Sequence, residues 1–175
     1  DAPWKRKGAD GKAGRDLEIA PADGTRHCRA IAWRAGALAV IVAGDRRILL
    51  LDPETGDVAK ELKEMPEGMA GCAWSKDGAL LVAAGAALYG VDPGSGTCSK
   101  RIDGLDDPRG VAVDAAGLVY VAQRGRKQCV EVFDAAGKKV RDVGRPGGRP
   151  EPGVYAEDAM RNPAQIAIDS RGRLW

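Results

Sequence analysis

One phrase recurs four times along this chain. Residues 28–33 read CRAIAW, 70–74 AGCAW, 108–114 PRGVAVD and 163–169 PAQIAID. Each is followed by a glycine, at Gly36, Gly78, Gly117 and Gly172, and then by a second apolar run beginning at Leu38, Leu80, Leu118 and Leu174. The alanines that anchor the copies, Ala32, Ala73, Ala112 and Ala167, lie 41, 39 and 55 residues apart. A unit of this length, made of short apolar runs and glycine turns, cannot bury its own apolar faces and must stack on its neighbours.

The fine structure of the unit gives its architecture. A first strand with an apolar-Ala-apolar centre meets a turn rich in Asp, Ser and Gly, which supplies a left-handed corner at low steric cost. A second strand follows at residues 38–42, 80–83 and 119–122, and a third at 48–51, 87–91 and 130–133. Asp-initiated turns at Asp52, Asp92 and Asp134 then lead to a more polar fourth strand at 58–62, 97–102 and 139–143. Residues 59–65 carry a weak helical pattern, which the register of the repeats overrides. A period near 40 built from four short strands predicts an all-β fold, a β-propeller segment of four-stranded antiparallel blades, with about three complete blades plus two partial ones. The expected divisions are 1–24, a linker and the tail of a preceding blade with a short strand at 17–20; blades at 25–65, 66–104 and 105–144; a Gly/Pro-rich loop at 145–162; and the first strands of a truncated blade at 163–175. A propeller closes with at least about four blades, so the chain is expected to belong to a larger ring, either as a fragment or with a second copy completing it.

Composition narrows the function classes. The hydrophobic share is 44% but the aromatic share only 5%, so the cores rest on Ala, Val, Leu and Ile. No run of 18 apolar residues reads as a membrane span. The net charge is +2, and residues 121–175 carry about +4 of it against −2 elsewhere, a tilt short of a nucleic-acid footprint. Cys28, Cys72, Cys98 and Cys129 form neither a metal knuckle nor a haem-attachment motif. Cys72 occupies a core position of the repeat and reads as a small buried hydrophobe; for Cys98 and Cys129 free thiols and a mutual disulfide both stand. No nucleophile elbow and no phosphate-binding loop is present, and a single histidine leaves no Ser-His-Asp set.

Residues 108–122, PRGVAVDAAGLVYVA, continued by VEVFD at 130–134 and Gly137, resemble an NHL repeat. Gly144, Gly147, Gly148, Gly153 and NPAQIAID at 162–169 follow the same pattern into the next unit. The resemblance is strong over 105–175 and weaker over 25–104, and it departs at Gln123, where the family usually carries Asp. It implies six-bladed rings, with similar blades in gluconolactonase-like propellers. The Gly/Pro insert also resembles large exported NHL-propeller proteins of environmental bacteria, which implies a periplasmic or extracellular location.

Propellers gather chemistry where loops enter the innermost strands. Five residues before each anchoring alanine stand His27, Gly68, Asp107 and Asn162. Two readings apply: His27, Asp107 and Asn162 as a rim holding a divalent cation, or ordinary turn residues ahead of Pro108 and Pro163. The resemblance implies a calcium-type site built of carboxylates and an Asn in gluconolactonase-like enzymes, and this chain has no Glu at the matching position. Arg29 and Arg109, two residues further on, either line the channel and bind an anion or pair with Asp106 or Asp107. Basic clusters at 5–7 and 124–127 read as solvated loops, since nucleic-acid binding wants interleaved aromatics. The expected function is a non-enzymatic NHL-type scaffold that binds a ligand or protein partner and needs no cofactor. The alternative is a propeller lyase or lactonase with Ca²⁺ in the channel.

Overall fold

A computed structural model describes residues 28–149 and 155–175. The strand expected at 17–20, the basic cluster at 5–7 and His27 lie outside the described residues. Twelve strands are described: β1 (Cys28–Arg34), β2 (Ala37–Val42), β3 (Arg47–Leu51), β4 (Val58–Leu62), β5 (Met69–Trp74), β6 (Leu80–Ala84), β7 (Ala87–Val91), β8 (Cys98–Ile102), β9 (Pro108–Val113), β10 (Val119–Gln123), β11 (Cys129–Phe133) and β12 (Lys139–Val143). They form three four-stranded antiparallel sheets, each in simple sequence order. The helical pattern at 59–65 yields to sheet: β4 pairs with β3 throughout. One 3₁₀ turn, Ala43–Asp45, is the single helical piece among the described residues.

Local chemistry sets each hairpin. Asp114 Oδ1 accepts from the backbone N–H of Ala116 and of Leu118, both at 2.9 Å, and Gly117 closes the turn at φ 92. Asp134 repeats the arrangement toward Ala136 and Lys138, and Asp169 toward Arg171 and Arg173. An aspartate that satisfies turn N–H groups fixes loop length, and loop length fixes strand register.

Burial explains the strand compositions. β6, β10 and β11 are buried along their whole length, and apart from Gln123 and Glu131 they are apolar on both faces. In the outer strands β4, β8 and β12 most residues are exposed or half-buried, and these strands are correspondingly charged. One apolar cluster joins the first two sheets through Ile41, Ile48, Cys72, Leu80 and Val82; another joins the second and third through Leu81, Leu88, Val111 and Val121. Each such fully buried Leu, Ile or Val stabilises the seam by about 1.5–3 kcal/mol. A third cluster packs the last sheet against Met160, Ile166, Ile168 and Leu174. Residues 163–175 carry one isolated bridge, Ile168 with Leu174, and paired backbone bonds between Ala167 and Trp175.

The innermost strands lie edge to edge, β1 against β5 and β5 against β9. Their approach depends on missing side chains. A Cβ on Gly71 would stand 2.0 Å from the Arg109 carbonyl oxygen, and one on Gly110 would stand 2.3 Å from that of Ala164. Gln165 reaches past the third sheet, its Nε2 donating to the Ala70 carbonyl at 3.1 Å. All four cysteines are free. Cys98 faces the first sheet, with Sγ 3.7 Å from Met65 Sδ, whereas Cys129 is buried in β11; the two thiols belong to different packing layers. Among the described residues no helix is long and apolar enough to cross a membrane.

Candidate functional site

The loops that enter the innermost strands, together with those joining second and third strands, form one face of the segment. Three of its corners share a conformation. Gly68, Asp107 and Asn162, at equivalent positions of successive units, have φ of 73, 53 and 52. Left-handed backbone favours Gly, then Asn and Asp. The residue types at this position are therefore set first by the backbone.

Asp107 is fully engaged. Its Oδ1 meets Arg109 Nη2 and its Oδ2 meets Arg124 Nε, each at 2.8 Å. Partial burial pushes the Asp107 carboxyl up, but the two guanidinium groups outweigh it and hold it below its ordinary value. Arg109 is thereby turned to a carboxylate of its own corner, while Arg29 lies exposed near the start of β1. Asp106 has a different task. Its carbonyl accepts from Gly125 N and its Oδ2 from Lys127 N, at 3.1 and 3.0 Å, which ties the second-to-third-strand loop to the segment that leads into β9. Gly125 permits this, since any Cβ there would fall 2.3 Å from the Asp106 carboxylate.

Beneath the loop lies a buried polar relay that sequence reasoning missed. Gln123 and Glu131 are 0% and 3% exposed. Gln123 Oε1 accepts from Asp106 N at 2.5 Å, and its Nε2 donates to Glu131 Oε2. Glu131 Oε1 takes the ammonium groups of Lys127 and Lys139 at 2.9 Å. Hydrogen bonds that the Lys139 ammonium donates to Asp142 and Glu131 raise it above its ordinary value. The sequence signal was a lone charged residue inside the apolar run CVEVF.

The other missed feature is an open cleft of about 440 Å³ lined by Arg126, Arg149, Arg161, Asn162 and Gln128. Gln128 organises it. Its Nε2 donates to the carbonyls of Arg124 and Gly125, and its Oε1 accepts from Asn162 N at 2.5 Å. The long loop is held alongside by Gly147 N donating to Lys127 O at 2.7 Å. Three arginines thus line one concavity, and no acidic residue is among its lining residues. Arg149 stacks 5.8 Å from the Tyr155 ring centroid, and its Nε is shut off from solvent without a hydrogen-bond partner among the described residues. By contrast, the described residues contain no group of three His, Cys, Asp or Glu side chains arranged to hold a metal ion.

Solved structures with the same arrangement of strands include hydrazine synthase of Kuenenia stuttgartiensis (22% identity, TM-score 0.64, covering 84% of this chain and 40% of that one). Others are glutaminyl cyclase of Myxococcus xanthus (14%, TM-score 0.63, 86% and 67%) and virginiamycin B lyase of Staphylococcus aureus (15%, TM-score 0.62, 89% and 50%). These are propeller proteins. This chain is a β-propeller segment. It spans 40–67% of the length of the three proteins, and at these identities the likeness carries the fold alone. No protein-family profile and no curated protein matches the sequence. In propeller terms the corners at Gly68, Asp107 and Asn162 lie on the face where the innermost strands begin, and the arginine cleft opens on that same face.

Proposed function

We propose that the chain is part of an NHL-type propeller that acts as a non-enzymatic binding scaffold, and that its loop-bearing face takes an acidic segment of a partner protein. The observation that carries this reading is the cleft of Arg126, Arg149 and Arg161. Guanidinium groups bind carboxylates in two-pronged fashion. Three of them in one concavity, one with an unpartnered buried Nε, form a host for an anionic guest. The other polar groups on this face are occupied with one another: Asp107 with two arginines, Asp106 with the loop backbone, Glu131 with two lysines.

The rest of the ring fits the same reading. Ile31 and Trp33 are 67% and 68% exposed. They stand on the flank where Cys72 and Trp74 of the next blade, and Val111 and Val113 of the one after, pack on the blade before. A preceding blade, from the same protein or from a second copy, would cover them.

The test is titration calorimetry with a glutamate-rich peptide. Each charge-assisted contact contributes about 1.5–3 kcal/mol, so replacing Arg126, Arg149 and Arg161 together by Ala should abolish binding while leaving the melting temperature nearly unchanged. Retained binding in the triple variant would refute the reading. Tighter binding to a uridine oligonucleotide, falling steeply with salt, would move the partner class to nucleic acid. A calcium-dependent hydrolytic or lyase activity lost on Asp107→Asn would favour the enzyme alternative.

A further inference from the structure

Successive blade seams repeat the same positions, so one seam serves as the template for the next. On the face opposite the arginine cleft, Trp74 of β5 and Arg34 of β1 close the seam between the first and second blades. The Arg34 guanidinium lies 3.9 Å from the centroid of the Trp74 ring, and Arg34 Nη1 donates to the Gly78 carbonyl at 3.1 Å. Trp74 Nε1 donates to the Ala32 carbonyl at 3.0 Å. One blade further on, the repeat puts Val113 in the place of Trp74, Ser75 in that of Arg34, and Gly117 in that of Gly78. An indole becomes an isopropyl group and a guanidinium arm becomes a hydroxymethyl. The second seam is correspondingly open, with a cavity of about 210 Å³ walled by Ser75, Val113 and Gly117. Its floor is the apolar seam core; Arg101 lines it, and the Lys76 stem lies against Gly117 much as Arg34 lies against Gly78 in the first seam.

We propose that this cavity is a docking slot for an aromatic side chain, above all an indole, presented by a partner polypeptide. The neighbouring seam identifies the occupant, since the fold fills the same place there with an indole under a guanidinium. The volume agrees: drug-sized ligands occupy about 300–1,000 Å³, and a smaller space between blades suits one ring. The cation that Arg34 supplies in the closed seam has counterparts here. Lys76 and Arg101 border the slot and can cover the face of an inserted ring. Among the described residues Arg101 is tied to an acid only by a loose, exposed pairing with Asp77 at 3.9 Å, which a ring displaces at little cost. The mouth lies among the turns at 75–78, 114–117 and 134–137, where an extended peptide can reach it. The slot is at the far ends of the strands from the arginine cleft and stands whether or not that cleft binds.

The experiment is an NMR titration of the ¹⁵N-labelled chain with acetyl-Gly-Trp-Gly-amide, and with acetyl-Gly-Ala-Gly-amide as the control. The Trp peptide should give saturable shifts at the amides of Val113, Gly117 and Ile102, and the Ala peptide none. Val113→Trp should close the slot as Trp74 closes the first seam and abolish the shifts. Lys76→Ala with Arg101→Ala leaves the cavity in place and should weaken the peptide roughly two- to fivefold. Absence of saturable shifts, shifts mapping elsewhere, undiminished binding in folded Val113→Trp, or unchanged affinity in the double alanine variant would each overturn the proposal. A concentration-dependent dimer broken by Val113→Trp would give the slot to a second copy of this chain and overturn the separate partner.

Discussion

The edge-to-edge contact of the innermost strands makes one sharp prediction. At Gly71 the backbone does not need glycine, because its φ is not left-handed. What it needs is the absence of a side chain. A Cβ would stand 2.0 Å from the Arg109 carbonyl oxygen, and 3.0 Å is about the shortest such contact that real Cβ atoms make. Gly71→Ala must therefore drive β5 and β9 apart by about 1 Å, and the obstacle is backbone that cannot swing aside. Overpacking of this kind costs about 1–3 kcal/mol. For a chain of this size, with about 2–4 °C of melting temperature per kcal/mol, the expected fall is about 2–12 °C, read by circular dichroism melts and by urea titration. Gly94→Ala is the control. Its nearest neighbour is the Asp92 side chain at 3.2 Å, in an exposed turn, and its effect should stay within about 0.5 kcal/mol. A Gly71→Ala chain that melts with the wild type would refute the edge-to-edge packing of these strands.

Other expectations follow from single groups. Asp107 titrates below its ordinary value, so its contribution is complete above the unfolded carboxylate value near 4 and is lost as pH falls through the lower folded value. With solvent screening of a half-exposed pair, Asp107→Asn should cost at most about 1 kcal/mol at pH 7, and urea titrations should show that gap closing in strong acid. Burial pushes the Cys72 thiol up to about 12; a disulfide-exchange reagent at pH 8 should label exposed Cys28 in the native chain and reach Cys72 only after denaturation. Glu131→Ala strips the partner from the Gln123 amide and leaves Lys127 facing Lys139, a loss of about 1–3 kcal/mol by chemical denaturation. Because Lys139 is held above its ordinary value, its share of stability persists through the usual lysine range near pH 10.4 and fades only beyond it.

The scaffold was legible because its determinants are local. Asp114, Asp134 and Asp169 each satisfy the turn that follows them, and four short apolar runs per unit leave few ways to stack. The site was not legible because its determinants are contacts across loops. Asp107 reads as a turn residue or a ligand, yet its state is set jointly by Arg109 and by Arg124, the latter 17 positions downstream. Gln123 reads as a departure from the Asp of the NHL pattern; in the structure its longer amide spans from the Asp106 N–H to Glu131, a reach a shorter carboxylate lacks. The basic run at 124–127 reads as one solvated loop. Packing splits it: Arg124 goes to Asp107, Lys127 to Glu131, and of its basic residues Arg126 alone lines the cleft.

In a repeat array, function concentrates where the units stop being alike. Positions that repeat faithfully, such as the left-handed corners Gly68, Asp107 and Asn162, carry the geometry that every blade needs, and selection for a ligand cannot change them without loosening the ring. Departures have no such duty. The insert that stretches one interval to 55 residues brings Arg149 and Arg161 beside Arg126, and the exchange of Trp74 and Arg34 for Val113 and Ser75 opens a seam that its neighbour keeps shut. The two departures lie on opposite faces and share no residue, so a substitution in one should leave the other's binding untouched. Coupling between them would need a rigid shift of the third blade against the second. The seam core of Leu81, Leu88, Val111 and Val121 resists that shift, since close-packed side chains move between discrete arrangements and do not slide continuously.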